Sequence, residues 1–487
     1  MKRYPVIEEI HIPPGAAQPF EIFRHEPFSF FLDSGMNEMS LGRYSFVGSS
    51  PFLVLKGHNS QIVLASPEGR QTRRANPFDT LDELMHRYAL EPGPYPTPFP
   101  GGALGYFSYD LCGLIEKLPR TAVDDLSLPE CCMALYDLVI TFDHLENRAY
   151  IASTGFPEQD EEKRLRRAHQ RMKEVKERLL AHAHRSPSQS SSPAEQPLPG
   201  GSHRTSGITL RSNFTRREYL TAVETAREYI ARGDIFQVNL SQRFEAELPV
   251  PPYELYQRLK GINPAPFAAY LNFDDVTVIC ASPERFLKVD GDLVETRPMK
   301  GTRPRGNSPA EDEALARELQ NSAKDRAENV MIVDLERNDL GRVCRYGTVR
   351  VRELWTLEKY ATVFQLTSCV EGKLSQKKDR IDLLKACFPG GSITGAPKVR
   401  SMEIIDELEP TRRSIYTGSI GYLGFGDTMD LNIVIRTILV KNGHAYLQVG
   451  GAITYDSDPE VEYQETLDKA KALFQALSLS PELAVVK

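Results

Sequence analysis

The sequence predicts an α+β or mixed α/β architecture, and three stretches carry that expectation. Thr215-Arg216-Arg217-Glu218 has the form of a capping box, in which the threonine hydroxyl accepts from the third helical amide while the glutamate reaches back. Tyr219, Leu220, Val223, Ala226 and Ile230 continue it at helical spacing, and Gly233 closes it. Just beyond, Phe236, Val238 and Leu240 alternate with Gln237, Asn239, Ser241 and Arg243 across residues 235–244, the two-residue period of a strand. Phe286 to Val289 and Leu293 to Thr296 then flank Asp290-Gly291, a hairpin signal. Strands and helices therefore interleave in one long C-terminal segment.

Taken in order, the first 150 residues alternate short strand-like runs with turns, as at Tyr44 to Gly48 and Leu135 to Phe142. Glu158 to Ala183 reads as a charge-rich helix with a thin apolar stripe of Leu165, Met172, Val175 and Leu179. In residues 186–206, 13 of 21 are Ser, Pro or Gly, too little apolar surface to offset ordering entropy. This predicts an N-terminal region 1–185, a linker 186–211 and a main segment 212–487. Within the last, Val276 to Ala281 is a strand, and helices are expected at 311–322, 324–337, 398–407 and 459–477. Asp458 can cap the final helix, with Pro459 in its first turn. Arg297 to Gly306 is strongly basic and shows neither period. Gly101 to Tyr106 faintly echoes Gly418 to Tyr422, as related strand starts would.

Composition excludes several classes. With 59 basic and 66 acidic side chains the net charge is -7, which argues against a general nucleic-acid binder. No run of 18 apolar residues occurs, and charges occupy the start where a signal peptide needs its apolar stretch, so a cytoplasmic protein is expected. The seven cysteines form no Cys-x-x-Cys pair and fit buried, reduced thiols. No histidine lies between His203 and His444, which removes imidazole as base or ligand from most of the C-terminal half.

Phe388 to Lys398 is glycine-rich but lacks the Gly-Lys-Ser/Thr step of a P-loop; its amides at a helix start could still seat a carboxylate or phosphate. Asp325 with Glu328, and Glu462 with Glu465, are each three apart on a helix and share a face. Such pairs usually face solvent. If the two pairs face each other, their repulsion calls for a hard divalent cation, and Mg²⁺ suits a few carboxylates plus water and substrate oxygens.

Ser282-Pro283-Glu284-Arg285-Phe286, the Lys300 block, Ala327 to Gly341, Phe388 to Pro410 and Glu462 to Thr466 together resemble the chorismate-utilising enzymes, in order over about residues 212–477. Gly42 to Gly48 extends the resemblance more weakly to the N-terminal part. It implies an anthranilate synthase component I-like α+β fold with large antiparallel sheets flanked by helices. The lysine in Pro298-Met299-Lys300-Gly301-Thr302 points to the aminodeoxychorismate synthase branch, which serves p-aminobenzoate and folate biosynthesis; the anthranilate synthase branch typically has alanine there. A non-catalytic chorismate- or amino-acid-binding regulatory subunit is the alternative of a different class.

The resemblance implies that Lys300 adds at C2 of chorismate and displaces the C4 hydroxyl, after which ammonia enters at C4 and expels the lysine. An ordinary lysine is only about 0.1% neutral near pH 7.5, so activation needs a fall of roughly 3 pKa units. Mg²⁺, Arg297, Arg303 and desolvation are expected to supply it. Glu284 matches the acid/base glutamate; the simpler role for it is an ion pair with Arg285. Gln237 stands where water-activating relatives carry lysine, which favours an amine nucleophile. Glu328 and Glu465 match the Mg²⁺ ligands, with Asp325 and Glu462 beside them. Arg436, Tyr422, the amides at Gly395-Ala396 and Gly451-Ala452, Thr302 of the lysine block and, less directly, Lys398 match seats for the substrate.

Gln365 departs from the histidine of several relatives and cannot shuttle a proton. No Gly-x-Cys-x-Gly elbow occurs, so a separate glutamine amidotransferase subunit is expected to supply ammonia, and no fused lyase is visible. Leu32, Asp33 and Ser34, with Asn263 and Pro264, partly match a tryptophan-binding regulatory site; packing is the favoured role for them.

Overall fold

A computed structural model describes residues 2–11, 17–34, 41–185, 209–360 and 363–479. The linker expected at 186–211 lies outside the described residues up to position 208. Among the described residues two twelve-stranded sheets form, every pairing between named strands being antiparallel. Each sheet combines strands from both sides of that segment. In the first, Ser29–Asp33 pairs with Phe267–Asn272; in the second, Gly102–Phe107 pairs with Ser419–Gly424. The two halves of the chain are thus stitched by backbone hydrogen bonds in both layers.

Strand alternation sorts the core. Phe30, Leu271 and Val278 of the first sheet meet Leu104, Tyr106 and Ile420 of the second between the layers. Phe31, Ile279 and Leu447 point the other way, under helices Pro252–Ile262 and Pro459–Ala476, whose Leu255, Leu259, Leu473 and Phe474 cover them. On the far side, Leu55, Met133 and Leu287 pack with Leu81, Leu384 and Ile405 of helices Pro77–Arg87, Arg380–Cys387 and Lys398–Leu408. Four layers result, with helices outside and sheets inside.

Most expected elements are present. The Thr215–Glu218 capping box forms both of its hydrogen bonds. Asp458 caps Pro459–Ala476, and the hairpin closes with Asp290 opposite Leu293. The echoing glycine strands lie side by side, Gly105 opposite Gly421. A β-carbon at Gly105 would come within 1.9 Å of the Cys132 carbonyl oxygen, so only glycine fits. Two expectations need correction. Leu135 to Phe142 is two strands broken at Asp137. The patternless basic segment is the strand Met299–Pro304, paired with Val363–Lys373 and bulged at Gly301, whose φ is 77°. Pro298, Gly301 and Pro304 hide its period.

One buried pair ties these layers together. Arg413 and Glu409 are 1% and 2% exposed and meet at 2.7 Å. Removing one partner strands a charge in the core, so Arg413→Met should lose about 3–5 kcal/mol of stability in urea denaturation.

Candidate active site

Strand geometry brings the Lys300 block against the helix Ala323–Gly341. Lys300 sits opposite Leu366, immediately before the Gly301 bulge. A β-carbon on Gly301 would press within 3.0 Å of Asp325, so the bulge lets strand and helix approach closely. Glu284 lies in the turn between Thr277–Ser282 and Arg285–Asp290, its carbonyl accepting from Ile433 N at 3.0 Å. Its carboxylate is buried and accepts from Ser392 Oγ at 2.6 Å. The Lys300 amine donates to the Ser392 carbonyl at 3.3 Å. Glu284 and Lys300 are therefore joined through one residue.

Their electrostatics oppose each other. Burial raises Glu284 from 4.5 to about 7, against the Ser392 hydroxyl, the Lys300 charge and the Met299 amide, which favour the carboxylate. Burial lowers Lys300, helped by Lys469, while Glu328, Glu284 and Glu465 pull it back up. The added cation is thus Lys469, not the expected Arg297 or Arg303. Arg297 is bound to Glu358 and Glu353, and Arg303 to Glu318 and Asp325. Nor does Arg285 pair with Glu284: it turns away to Glu295 at 2.9 Å and Asp430 at 3.0 Å.

Glu465, on the second helix, is among the charges that act on Glu328 on the first. Burial and then Lys300, Lys324, Asp325 and Glu465 act on Glu328, with a net rise. Burial also raises Glu462; Ser457 donates to one of its oxygens at 2.6 Å and the other is buried without a partner. Lys469, 2.5 Å away, outweighs burial at Glu465 and holds it low. Gly451 faces this group, since a β-carbon there would lie 3.1 Å from Glu462 Oε2. Asp325 is engaged by Arg303. Among the described residues no three His, Cys, Asp or Glu side chains close on one metal-sized point.

The other expected residues are scattered. Arg436 (φ 52°) is near Tyr416 and Glu465, and no carboxylate lies within ion-pairing distance of its guanidinium among the described residues. Gln237 is buried with neither amide atom partnered, opposite Ala396, while Ala452 lies opposite Asn239. Gly395, at φ 147°, passes so near the Gln237 carbonyl that a β-carbon would sit 2.2 Å away. Thr302 is exposed past the bulge. Lys398 is occupied: it pairs with Asp339 at 2.5 Å and donates to the Cys387 carbonyl, leaving it no free charge for a substrate.

Tyr422 belongs elsewhere. It stacks on Phe99 at 4.4 Å and lines a separate cavity of about 1060 Å³ with Leu32, Asp33, Ser34, Phe267 and Arg285. Asp33 accepts from Tyr256 and pairs with Lys260, and Asn263 caps the helix Pro252–Ile262. Pro266 and Phe267 line that cavity, whereas Asn263 and Pro264 do not. The tyrosine beside Arg436 is Tyr416, six residues earlier, which sequence reasoning missed along with Ser392, Asn239 and Lys469. Ser392 lay inside a quoted block, but nothing in its spacing marks it.

Known proteins resemble this chain in sequence and fold. Residues 42–475 match the model of the chorismate binding enzyme family. Aminodeoxychorismate synthase component 1 of Bacillus subtilis (strain 168) is 41% identical over 441 residues, 91% of this chain and 90% of that one. Anthranilate synthase component 1 of Acetivibrio thermocellus is 38% identical over 465 residues, 95% and 93% of the two chains. The crystal structure of anthranilate synthase component I from Streptococcus pneumoniae TIGR4 superposes with a TM-score of 0.75 at 32% identity, covering 90% of this chain and 93% of that one. The chain belongs to the chorismate binding enzyme family, and its α+β fold of two large antiparallel sheets flanked by helices is that of anthranilate synthase component I. No helix among the described residues is long and apolar enough to cross a membrane.

The raised pKa of Glu284 has a consequence for stability. The fold prefers the neutral acid, so its contribution is full below pH 4.5 and falls away as pH rises through about 7. Glu284→Gln removes that ionisation. It should match wild type at pH 4 and exceed it at pH 8 by about 3 kcal/mol, measured by chemical denaturation.

Proposed function

We propose that this protein aminates chorismate to 4-amino-4-deoxychorismate through a covalent adduct on Lys300. The observation that carries the reading is a lysine whose amine is depressed by burial, linked through Ser392 to a glutamic acid poised near 7. Arg436, half-buried and with no carboxylate partner among the described residues, supplies a fork for one substrate carboxylate, and the Gly451-Ala452 backbone borders the same space. The neutral Lys300 amine adds at C2, the two ring double bonds shift, and the C4–O bond breaks. Protonated Glu284 gives its proton to the departing hydroxyl, which leaves as water. Ammonia then attacks C4, the double bonds return, and the C2–N bond to Lys300 breaks. Glu284, now a carboxylate, takes the proton that the new amine sheds. The enolpyruvyl group is untouched, in keeping with Gln365 in place of a proton-shuttling imidazole.

The carboxylates fit Mg²⁺, which needs only one or two protein carboxylates alongside water and substrate oxygens. Glu328 and Glu465 would hold it, with Glu462, whose free oxygen lacks a partner, and Asp325 at the margin. Bound there, it would add positive charge for a substrate carboxylate. Lys324 and Lys469 offset the same repulsion in this structure. The ammonia would come from a separate glutamine amidotransferase subunit; the component 1 names of the relatives imply a partner component. Anthranilate synthesis is the second reading, since relatives of both names are similarly close. Leu32, Asp33 and Ser34 leave an amino-acid regulator such as tryptophan as a proposal for the separate cavity.

Incubation of the purified chain with chorismate, Mg²⁺ and ammonium, followed by mass spectrometry and NMR, tests the reading. The expected product keeps the enolpyruvyl group and carries an amine at C4. Lys300→Ala should lose at least about 10³-fold of this amination while still binding chorismate, the scale set by losing a covalent nucleophile. Anthranilate and pyruvate as products, or undiminished amination by Lys300→Ala, would contradict it.

A further inference from the structure

We propose that Ser392 is a positioning residue that fixes Glu284 and Lys300 relative to each other, its hydroxyl holding one carboxylate oxygen and its carbonyl receiving the amine. This deepens the amination reading and, for its catalytic meaning, rests on it. Both contacts come from one buried residue: Oγ donates to Glu284 Oε1 at 2.6 Å, and the carbonyl accepts from Lys300 Nζ at 3.3 Å. The carbonyl's remaining capacity is taken by Asn239 Nδ2 at 2.7 Å, so it cannot turn toward solvent without breaking two bonds.

The short turn that carries Ser392 is held from every side. Asn239 N donates to the Thr394 carbonyl at 2.8 Å, and Arg413 Nη1 donates to the Ile393 carbonyl at 2.9 Å. Thr394 Oγ1 closes the turn onto the Gly390 carbonyl at 2.9 Å. β-Carbons at Gly390 and Gly391 would each come within 2.7 Å of Ile433 and Leu335 side chains, so the turn packs with no slack. A serine fixed this well presents its hydroxyl at a set point. The Ser392 proton holds Oε1 at that point, and the Met299 backbone amide also binds the carboxylate, so the Glu284 carboxyl is fixed by two donors.

The hydroxyl also favours the ionised form of Glu284, in a pocket where burial favours the acid. The charged or titratable groups that act on Glu284 from neighbouring elements are Lys300, Glu336 and Tyr360. None of these side chains donates to Glu284, so loss of the Ser392 hydroxyl leaves the Met299 backbone amide as the remaining hydrogen bond to the carboxylate.

The test is the titration of Glu284 itself, read as the carboxyl band in infrared difference spectra between wild type and Glu284→Gln, with no substrate present. Ser392→Ala should move the midpoint up by roughly one pH unit, and Ser392→Thr should restore it to within about 0.3. Ser392→Cys, a weaker donor of similar size, should give an intermediate rise if the alanine variant does not fold. In turnover, Ser392→Ala should lower kcat by about 10-fold with KM little changed and shift the pH limb in the same direction. An unmoved midpoint in the alanine or cysteine variant would overturn the proposal. Because the titration needs no turnover, a wild type that titrates as expected but does not aminate chorismate would overturn the functional reading alone.

Discussion

The site depends on a single buried ion pair more than on any residue that would touch substrate. Arg413 meets Glu409 through two nitrogens at 2.7 and 2.9 Å and spends its remaining donors on the Asn239 and Ile393 carbonyls and the Thr417 hydroxyl. Glu409 in turn accepts from the amide and hydroxyl of Ser241. The strand Gln237–Glu247, the Ser392 turn and the end of the helix Lys398–Leu408 are thereby locked at one point. Tyr109 and Tyr416 lie 4.8 and 6.0 Å from the guanidinium, so the same cation also borders the Arg436 side of the site. A buried pair rarely adds net stability over an apolar replacement, but it does fix geometry, and geometry is what a lysine and a glutamic acid acting in sequence require.

That rigid frame makes the electrostatic conflict at the centre tolerable. Lys300 must lose its proton and Glu284 must keep one, and burial pushes both toward neutrality. Their mutual attraction works against this, as do Glu328 and Glu465 beside the lysine. Lys469 takes up much of the Glu465 charge and depresses Lys300 at the same time. The balance is set by the strand Met299–Pro304, the Glu284 turn and the helices Ala323–Gly341 and Pro459–Ala476, which lie far apart in the sequence and meet only in the folded chain.

Much of this was legible in the sequence where local rules decide. The capping box, the alternating strand from Gln237 and the two acidic helix faces are statements about neighbours, and the structure bears them out. Where tertiary contacts decide, the sequence was silent or misleading. Met299–Pro304 becomes a strand only because Val363–Lys373 offers it a partner and Gly301 absorbs the bulge. Tyr416 precedes the glycine strand and Tyr422 lies within it, and only the packing of Phe99 and Phe46 assigns Tyr422 to the other cavity. Lys398 looks like a free cation at a helix start until Asp339 arrives from the helix Ala323–Gly341. Ser392 is one serine in a glycine-rich run until the fold sets Glu284 and Lys300 on either side of it.

The most direct measurement is intact-protein mass spectrometry of the chain after brief exposure to chorismate and Mg²⁺ with ammonia withheld, followed by peptide mapping. The account expects a mass gain equal to chorismate less one water, located on Lys300 and discharged on adding ammonium. A chain that turns chorismate over with ammonium yet never carries that mass, or carries it on another residue, would contradict it.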